Sequence, residues 1–162
     1  MKKTITLISL IVPLLVLVAC GEKPPEVEWE LVIDGDVEQS MTYTFQDITE
    51  LQRARLTDIL TRNPENPSEK VSWEGVTLFL LLREPGGVDY QSGVTWWALI
   101  TLADGSRHRL SLADLRGAII ALKDGEGNWL AETEKWPVRL VAPNRPSNDW
   151  LWGPVRITIH AP

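Results

Sequence analysis

Alternating apolar and polar residues recur along most of the chain and predict a series of short strands. The first runs from Val27 to Ile33, where valine, tryptophan and leucine alternate with glutamates. This pattern is typical of a strand with one buried face. Residues 55–61 suit either a strand or a helix, because their periodicity favours neither. Further strands are predicted at residues 41–43, 71–73, 95–102, 107–110, 118–122, 138–141 and 155–159.

Short helices are predicted between these strands. Thr44 is placed to cap a helix that begins at Phe45, with Asp47 near the positive end of that helix. A second helix is predicted within residues 76–82, and Ser111 is placed to cap a third that ends near Gly117. Many short strands with small helices between them predict an α+β domain that is rich in β structure. Turns are predicted at Asp34-Gly35, Glu74-Gly75, Asp104-Gly105 and Asp124-Gly125.

The N-terminal residues follow a different pattern, typical of an export signal. A positive start, Met1-Lys2-Lys3, precedes the uncharged residues 4–19. The run Leu17-Val18-Ala19-Cys20 resembles the lipobox of bacterial lipoproteins, which implies a lipid on Cys20 and a stable membrane anchor. An uncleaved anchor helix is the alternative. We therefore expect a signal peptide at residues 1–19, a lipidated tether at 20–26 and one extracytoplasmic domain at 27–162, attached to a bacterial membrane.

Composition narrows the function classes. The chain has 162 residues, a length that suits one domain. Its net charge of −6 repels phosphate backbones, so nucleic acid is not an expected partner. A single cysteine excludes an internal disulfide and any multi-cysteine metal site. The two histidines, His108 and His160, lie far apart in the sequence, and no catalytic motif is present, so no catalytic or metal-ligating residue is predicted.

Several motifs from residue 71 to residue 160 resemble, in order, the oxidoreductase molybdopterin-binding domain family, which has the fold of the sulfite oxidase catalytic domain. The resemblance implies a compact, β-rich, mixed-sheet α+β domain with short helices. The matching segments are Trp73-Glu74-Gly75-Val76-Thr77-Leu78, Ala103-Asp104-Gly105 with Leu110-Ser111-Leu112, Ala118-Ile119-Ile120-Ala121, Trp136-Pro137-Val138-Arg139-Leu140-Val141-Ala142-Pro143, and Val155-Arg156-Ile157-Thr158-Ile159.

Two departures from the family pattern affect the expected chemistry. In active members of the resembled family, a cysteine thiolate upstream of the Trp73 segment ligates molybdenum, a metal that soft thiolates suit. Here residues 21–70 contain no cysteine. Trp136 stands where the family often has glycine. We therefore predict no bound cofactor, although the resemblance would still allow molybdopterin.

Six residues are candidates for binding a ligand. The resemblance places Arg139 near the family's cofactor and substrate pocket, where it would bind an anion; alternatively, Arg139 pairs with a local carboxylate. Tryptophans near arginine and amide side chains suit a sugar, a heterocycle or a proline-rich peptide, whereas the plainer alternative is that they fill the ends of a core with few other aromatic residues. Alternation sends His108 to the face opposite Arg107 and Arg109. The candidates are His108, Trp136, Arg139, Arg145, Trp150 and Trp152.

Three functions are consistent with these patterns. The first is an anchored binding or assembly module without molybdenum chemistry. The second is an oxidoreductase, or an accessory of a redox complex, that retains a pterin. The third is a module of the cell envelope that binds a protein or a glycan through exposed tryptophans. A small ligand, an envelope protein and the membrane itself are thus the expected partners.

Overall fold

The structure is a computed structural model that describes residues 23–63, 65–88 and 96–162. The lipobox with Cys20 and the first residue of the strand predicted at 95–102 lie outside these ranges. None of the helices in the described ranges is long and apolar enough to cross a membrane. The described chain forms two five-stranded sheets, which confirms the predicted β-rich α+β fold.

The first sheet, called sheet A, has the strand order β2-β1-β10-β5-β6. Strands β1 and β10 run parallel, and the other neighbouring strands run antiparallel. Sheet A therefore joins the beginning and the end of the domain in one pair of strands. Its strands are β1 (Glu30–Gly35), β2 (Met41–Thr44), β5 (Trp97–Leu102), β6 (Arg107–Ser111) and β10 (Pro154–His160).

The second sheet, called sheet B, is antiparallel throughout, with the order β3-β4-β7-β8-β9. The main core takes alternate buried residues from both sheets, such as Ile33 and Ile100 of sheet A and Val76 and Leu140 of sheet B. The strands of sheet B are β3 (Ala54–Leu60), β4 (Lys70–Thr77), β7 (Ile119–Asp124), β8 (Arg139–Val141) and β9 (Leu151–Trp152).

Helices occupy the connections between strands. Thr44 caps α1 as predicted, because its hydroxyl accepts a bond from the Asp47 N–H while the Asp47 carboxylate accepts one from the Thr44 N–H. The Asp47 carboxylate also accepts a hydrogen bond from the Thr44 hydroxyl at 2.7 Å, and this bond, together with the one from the Thr44 N–H, holds the pKa of Asp47 below its usual value. The helices are α1 (Phe45–Glu50), α2 (Leu78–Arg83) and α3 (Leu130–Thr133), and a 3₁₀ turn spans Ser147–Asp149.

The turn predicted at Glu74-Gly75 is wrong, because β4 continues through both residues. A Cβ on Gly75 would overlap the carbonyl oxygen of Ile120 and lie 2.6 Å from the Ala121 Cα. Glycine is therefore used here for the close approach of β7, where the register shifts. The second helix begins at Leu78, later than predicted, because the two preceding residues still pair with β7.

Three other boundaries also differ from the predictions. The first strand begins at Glu30 and not at Val27. Trp29, the residue before this strand, is held through its side chain, since its indole N–H donates to the Pro154 carbonyl at 3.0 Å. The helix predicted after Ser111 is a series of turns, since few residues separate the end of β6 from Gly117, whose φ is +72°. The ambiguous segment at residues 55–61 is largely strand β3, which pairs with β4.

Candidate functional site

A pocket of about 480 Å³ opens where one end of sheet A meets sheet B. The turn between β5 and β6 contributes one wall, the loop before β8 contributes a second, and β9 contributes the third. This volume falls within the range of about 300–1,000 Å³ that small-molecule sites occupy. Its lining residues are Leu102, Asp104, Ser106, His108, Glu134, Lys135, Trp136, Trp150, Leu151 and Trp152.

Asp104 and Ser106 form the turn at the mouth of the pocket. The Asp104 Oδ1 accepts hydrogen bonds from the Ser106 N–H at 2.9 Å and from the Ser106 hydroxyl at 2.6 Å. These bonds favour the ionised carboxylate and hold the pKa of Asp104 below its usual value. The predicted turn role of Asp104 is confirmed. The same residue also supplies negative charge to the pocket, opposite the ammonium group of Lys135.

Trp136 forms a wall between two cavities. Its indole lies against the backbone of Gly153, where a Cβ would come within 3.0 Å of the indole Cγ and Cδ2 atoms. Gly153 also has a φ of +61°, so both its conformation and its neighbour favour glycine. On the far side of Trp136, a second pocket of about 420 Å³ reaches the residues that precede β1. Trp136 therefore lines both cavities and does not fill the main pocket, and the Lys135 ammonium lies 4.8 Å from the centroid of its ring.

Arg139 lies behind the pocket on β8, inside a set of three indoles that we call the tryptophan cage (Trp73, Trp150 and Trp152). Its guanidinium carbon lies 5.3 Å from the Trp73 ring centroid, 5.4 Å from that of Trp150 and 4.5 Å from that of Trp152. Trp73 in turn meets both other rings edge-on at 6.4 Å. The cage holds a cation by its electrostatic attraction to the ring faces.

The backbone pairing explains how the cage forms. Gly75, Ala121, Arg139 and Trp152 are direct cross-strand neighbours on β4, β7, β8 and β9. Side chains of paired residues point to the same face of a sheet. Gly75 and Ala121 are small, so they leave space on this face of sheet B beside the large side chains of Arg139 and Trp152. Trp73, two residues before Gly75 on the same face, reaches over this part.

Arg139 makes no ion pair within the described ranges. Its one hydrogen bond, from an Nη atom to the Ser147 carbonyl, is long at 3.4 Å, and its buried Nε has no partner among the described residues. Burial lowers the pKa of the guanidinium, and the negative charge of Glu134 partly opposes that shift. Of the two alternatives for Arg139, the local carboxylate pair is thus absent from the described structure.

Trp150 and Arg145 form a rigid support for the pocket. The Trp150 indole is only 4% exposed, and its N–H donates to the carbonyls of Ala142 at 2.9 Å and Arg145 at 3.1 Å. The Arg145 side chain points elsewhere and pairs with Asp149 at 2.7 Å and Asp114 at 3.7 Å. Arg145 therefore fixes the loop that carries Trp150.

Four of the six candidate residues line the main pocket, namely His108, Trp136, Trp150 and Trp152. Arg139 lies behind it in the tryptophan cage, and Arg145 lies outside it. Sequence reasoning missed Trp73 as the third wall of the cage, although strand alternation around Gly75 carried that signal. It also missed Glu134 and Lys135, which lie next to Trp136 in a loop without regular periodicity.

Comparison with known proteins agrees with this architecture. The chain is similar in structure to the sulfane dehydrogenase SoxCD from Paracoccus pantotrophus, with a TM-score of 0.63 and 20% sequence identity. The match covers 82% of this chain and 38% of that chain, so the chain spans well under half the length of its relative. No curated protein sequence matches the chain. The family description "oxidoreductase molybdopterin binding domain" matches residues 21–152. The chain therefore belongs to the oxidoreductase molybdopterin-binding domain family.

Proposed function

We propose that this chain is a lipid-anchored, extracytoplasmic binding module whose pocket holds a small planar ligand. The observation that carries the proposal is that the partly exposed Trp136 and Trp152 line one pocket of about 480 Å³, whose lining the buried Trp150 completes. Indole faces stack on flat heterocycles with a favourable free energy of about 1–3 kcal/mol per ring. The lipobox that ends at Cys20 supports the anchor.

The polar groups of the pocket suit a ligand with both donors and acceptors at its rim. The Asp104 carboxylate and Glu134 can accept hydrogen bonds, whereas Lys135 can only donate them. His108 and Ser106 can do either. A planar heterocycle with ring nitrogens, an amino group and a carbonyl would satisfy this mixture better than a purely anionic or purely apolar molecule.

The residues present do not fit molybdenum. The resembled family ligates the metal through a cysteine, and the only cysteine of this chain is Cys20, next to the predicted signal peptide. We therefore derive no redox step through molybdenum and assign the pocket a binding role.

The planar-ligand proposal is tested by calorimetry with pterin-6-carboxylate as the probe. We expect the full chain to bind this metal-free heterocycle and Trp136→Ala to weaken the affinity by at least about tenfold, because one stacking face is lost. Trp97→Ala is the matched control, since Trp97 lies on sheet A away from the pocket, and it should keep wild-type affinity. Equal affinity in the Trp136 variant, or no binding by the wild type, would contradict the proposal.

A second candidate function is an accessory of a redox complex that retains a pterin, and the family match favours it. To distinguish the two candidate functions, the chain is purified from a host that makes molybdenum cofactor and its molybdenum content is measured. The binding module should carry far less than one molybdenum per chain by mass spectrometry. A stoichiometric metal would favour the accessory.

The anchor is tested separately by cell fractionation. Cys20→Ser removes the thiol that would carry the lipid, so we expect the chain to move from the membrane fraction to a soluble fraction or to remain as an unprocessed precursor. Metabolic labelling with a fatty acid should mark the wild type and not the variant. A labelled Cys20→Ser chain would refute lipidation at this residue.

A further inference from the structure

Strand β6 is the last strand of sheet A, and no strand among the described residues pairs with its outer edge. Two hydrogen bonds show which residue pairs of the β5–β6 hairpin are hydrogen-bonded. The Leu102 N–H donates to the Ser106 carbonyl at 2.9 Å, and the Leu112 N–H donates to the Trp96 carbonyl at 3.0 Å. Hydrogen-bonded and non-hydrogen-bonded pairs alternate along an antiparallel ladder. Arg107 and Arg109 consequently direct their backbone N–H and C=O groups away from β5.

These outward backbone groups have no hydrogen-bond partner in the described part of the chain. They form a short template of donors and acceptors that an extended segment can pair with. The edge is also basic, which is a local exception in a chain with a net charge of −6. Charged residues on an edge can simply prevent aggregation, so a docking role needs further support from the side chains.

That support comes from the way Arg109 is held. Its guanidinium carbon lies 4.0 Å from the centroid of the Trp97 ring. On the other face of Trp97, the His160 ring stacks at a centroid distance of 3.8 Å with an interplanar angle of 14°. A stacked guanidinium keeps its N–H groups free for a carboxylate and loses less entropy when it binds one. Neither Arg109 nor Arg107 makes an ion pair within the described ranges.

On the other face of β6, the His108 side chain points toward the pocket. His108 pairs with Ile100, whose side chain is buried in the core, so His108 points to the inner face and lines the pocket beside the tryptophans. Successive side chains of an added strand would also alternate between the two faces. One set would meet Arg107 and Arg109, and the other set would point toward the pocket.

We propose that β6 accepts an extended segment of a partner protein as a sixth strand of sheet A. This segment carries acidic residues opposite Arg107 and Arg109, with apolar or aromatic residues between them. Backbone pairing supplies affinity, and the arginines and the pocket supply specificity. The inference deepens the proposed function by naming a partner for the same site, but its backbone contacts do not depend on a heterocycle in the pocket.

Fluorescence anisotropy with a labelled peptide, Ac-Glu-Ile-Glu-Phe-Glu-Val-NH₂, tests the inference on the full chain in detergent. We expect the peptide to bind and the double variant Arg107→Glu/Arg109→Glu to weaken it by at least tenfold. Arg109→Pro should weaken it to a similar extent, because it removes both the Arg109 guanidinium and an N–H that faces away from β5, while the hydrogen bonds of sheet A stay intact. The same peptide with lysine in place of glutamate should not bind.

Two controls make the outcome decisive. Arg83→Glu reverses an exposed arginine at the end of α2 and should leave peptide binding unchanged. Pterin-6-carboxylate binding, measured in the Arg109→Pro variant, should also stay unchanged, which separates failure of the strand site from failure of the pocket. Absence of peptide binding, or full binding by Arg109→Pro, would overturn the inference. Self-association of the wild type that Arg109→Pro abolishes would assign the edge to a second copy instead.

Discussion

Gly75→Ala is expected to destabilise the domain by about 3 kcal/mol or more, because the added methyl group overpacks a backbone contact. The new Cβ would overlap the Ile120 carbonyl oxygen and approach the Ala121 Cα to 2.6 Å. Both obstacles are backbone atoms of β7, so no side chain can rotate away. Thermal unfolding should show a fall in Tm of roughly 6–12 °C for a domain of this size.

Gly105→Ala provides the comparison. Gly105 has a φ of +86°, but a Cβ there would meet nothing within 4 Å. Its replacement should cost only the conformational strain, about 1 kcal/mol. A Tm for Gly75→Ala equal to or above that of Gly105→Ala would show that β4 and β7 can separate without loss, contrary to the packing described above.

Trp150→Ala is expected to lower the free energy of unfolding by about 3–5 kcal/mol, the range for removing a large buried aromatic side chain. The indole is 4% exposed, packs on Arg139 and donates to two carbonyls. Denaturant unfolding should show the loss as a lower midpoint. Trp150→Phe should cost about 1–3 kcal/mol, because the Ala142 and Arg145 carbonyls lose their donor.

Trp136→Ala is the matched variant for stability, since Trp136 is partly exposed and borders open pockets on both sides. It should change the free energy of unfolding much less than Trp150→Ala does. Equal losses for the two variants would mean that Trp136 is a core residue and that its use as a ligand-stacking wall is mistaken. Loss of ligand binding in a Trp150 variant would carry no information about the pocket, because the fold itself is expected to suffer.

The strands and the capped helix were predictable because each rests on local chemistry. Thr44 and Asp47 satisfy one another's backbone groups within a single turn, and the Asp104-Gly105 hairpin needs only residues that adjoin it. Gly75 misled the sequence interpretation for the opposite reason. The pair Glu74-Gly75 indicates a turn locally, but the role of Gly75 is to admit the Ile120 backbone, which lies far away in sequence.

The sequence singled out four residues that line the main pocket, but it did not indicate how they are arranged. The tryptophans near the C terminus drew attention as an excess of one residue type, yet sequence alone could not separate buried from exposed rings. Trp129 lies in a loop-like stretch but is fully buried, whereas Trp136, in a similar stretch, borders two pockets. Which ring is buried depends on packing between elements that are distant in sequence, and no local pattern records it.

The parallel pairing of β1 with β10 has a consequence for how the domain folds. The central strand of sheet A is β10, so the strands before it cannot complete their sheet until residue 160 has been delivered. Contacts between distant parts of a chain slow folding, because a large loop must close before any of them forms. Synthesis from the N terminus therefore leaves the β1–β2 pair and the β5–β6 pair apart until β10 is made and inserts between them.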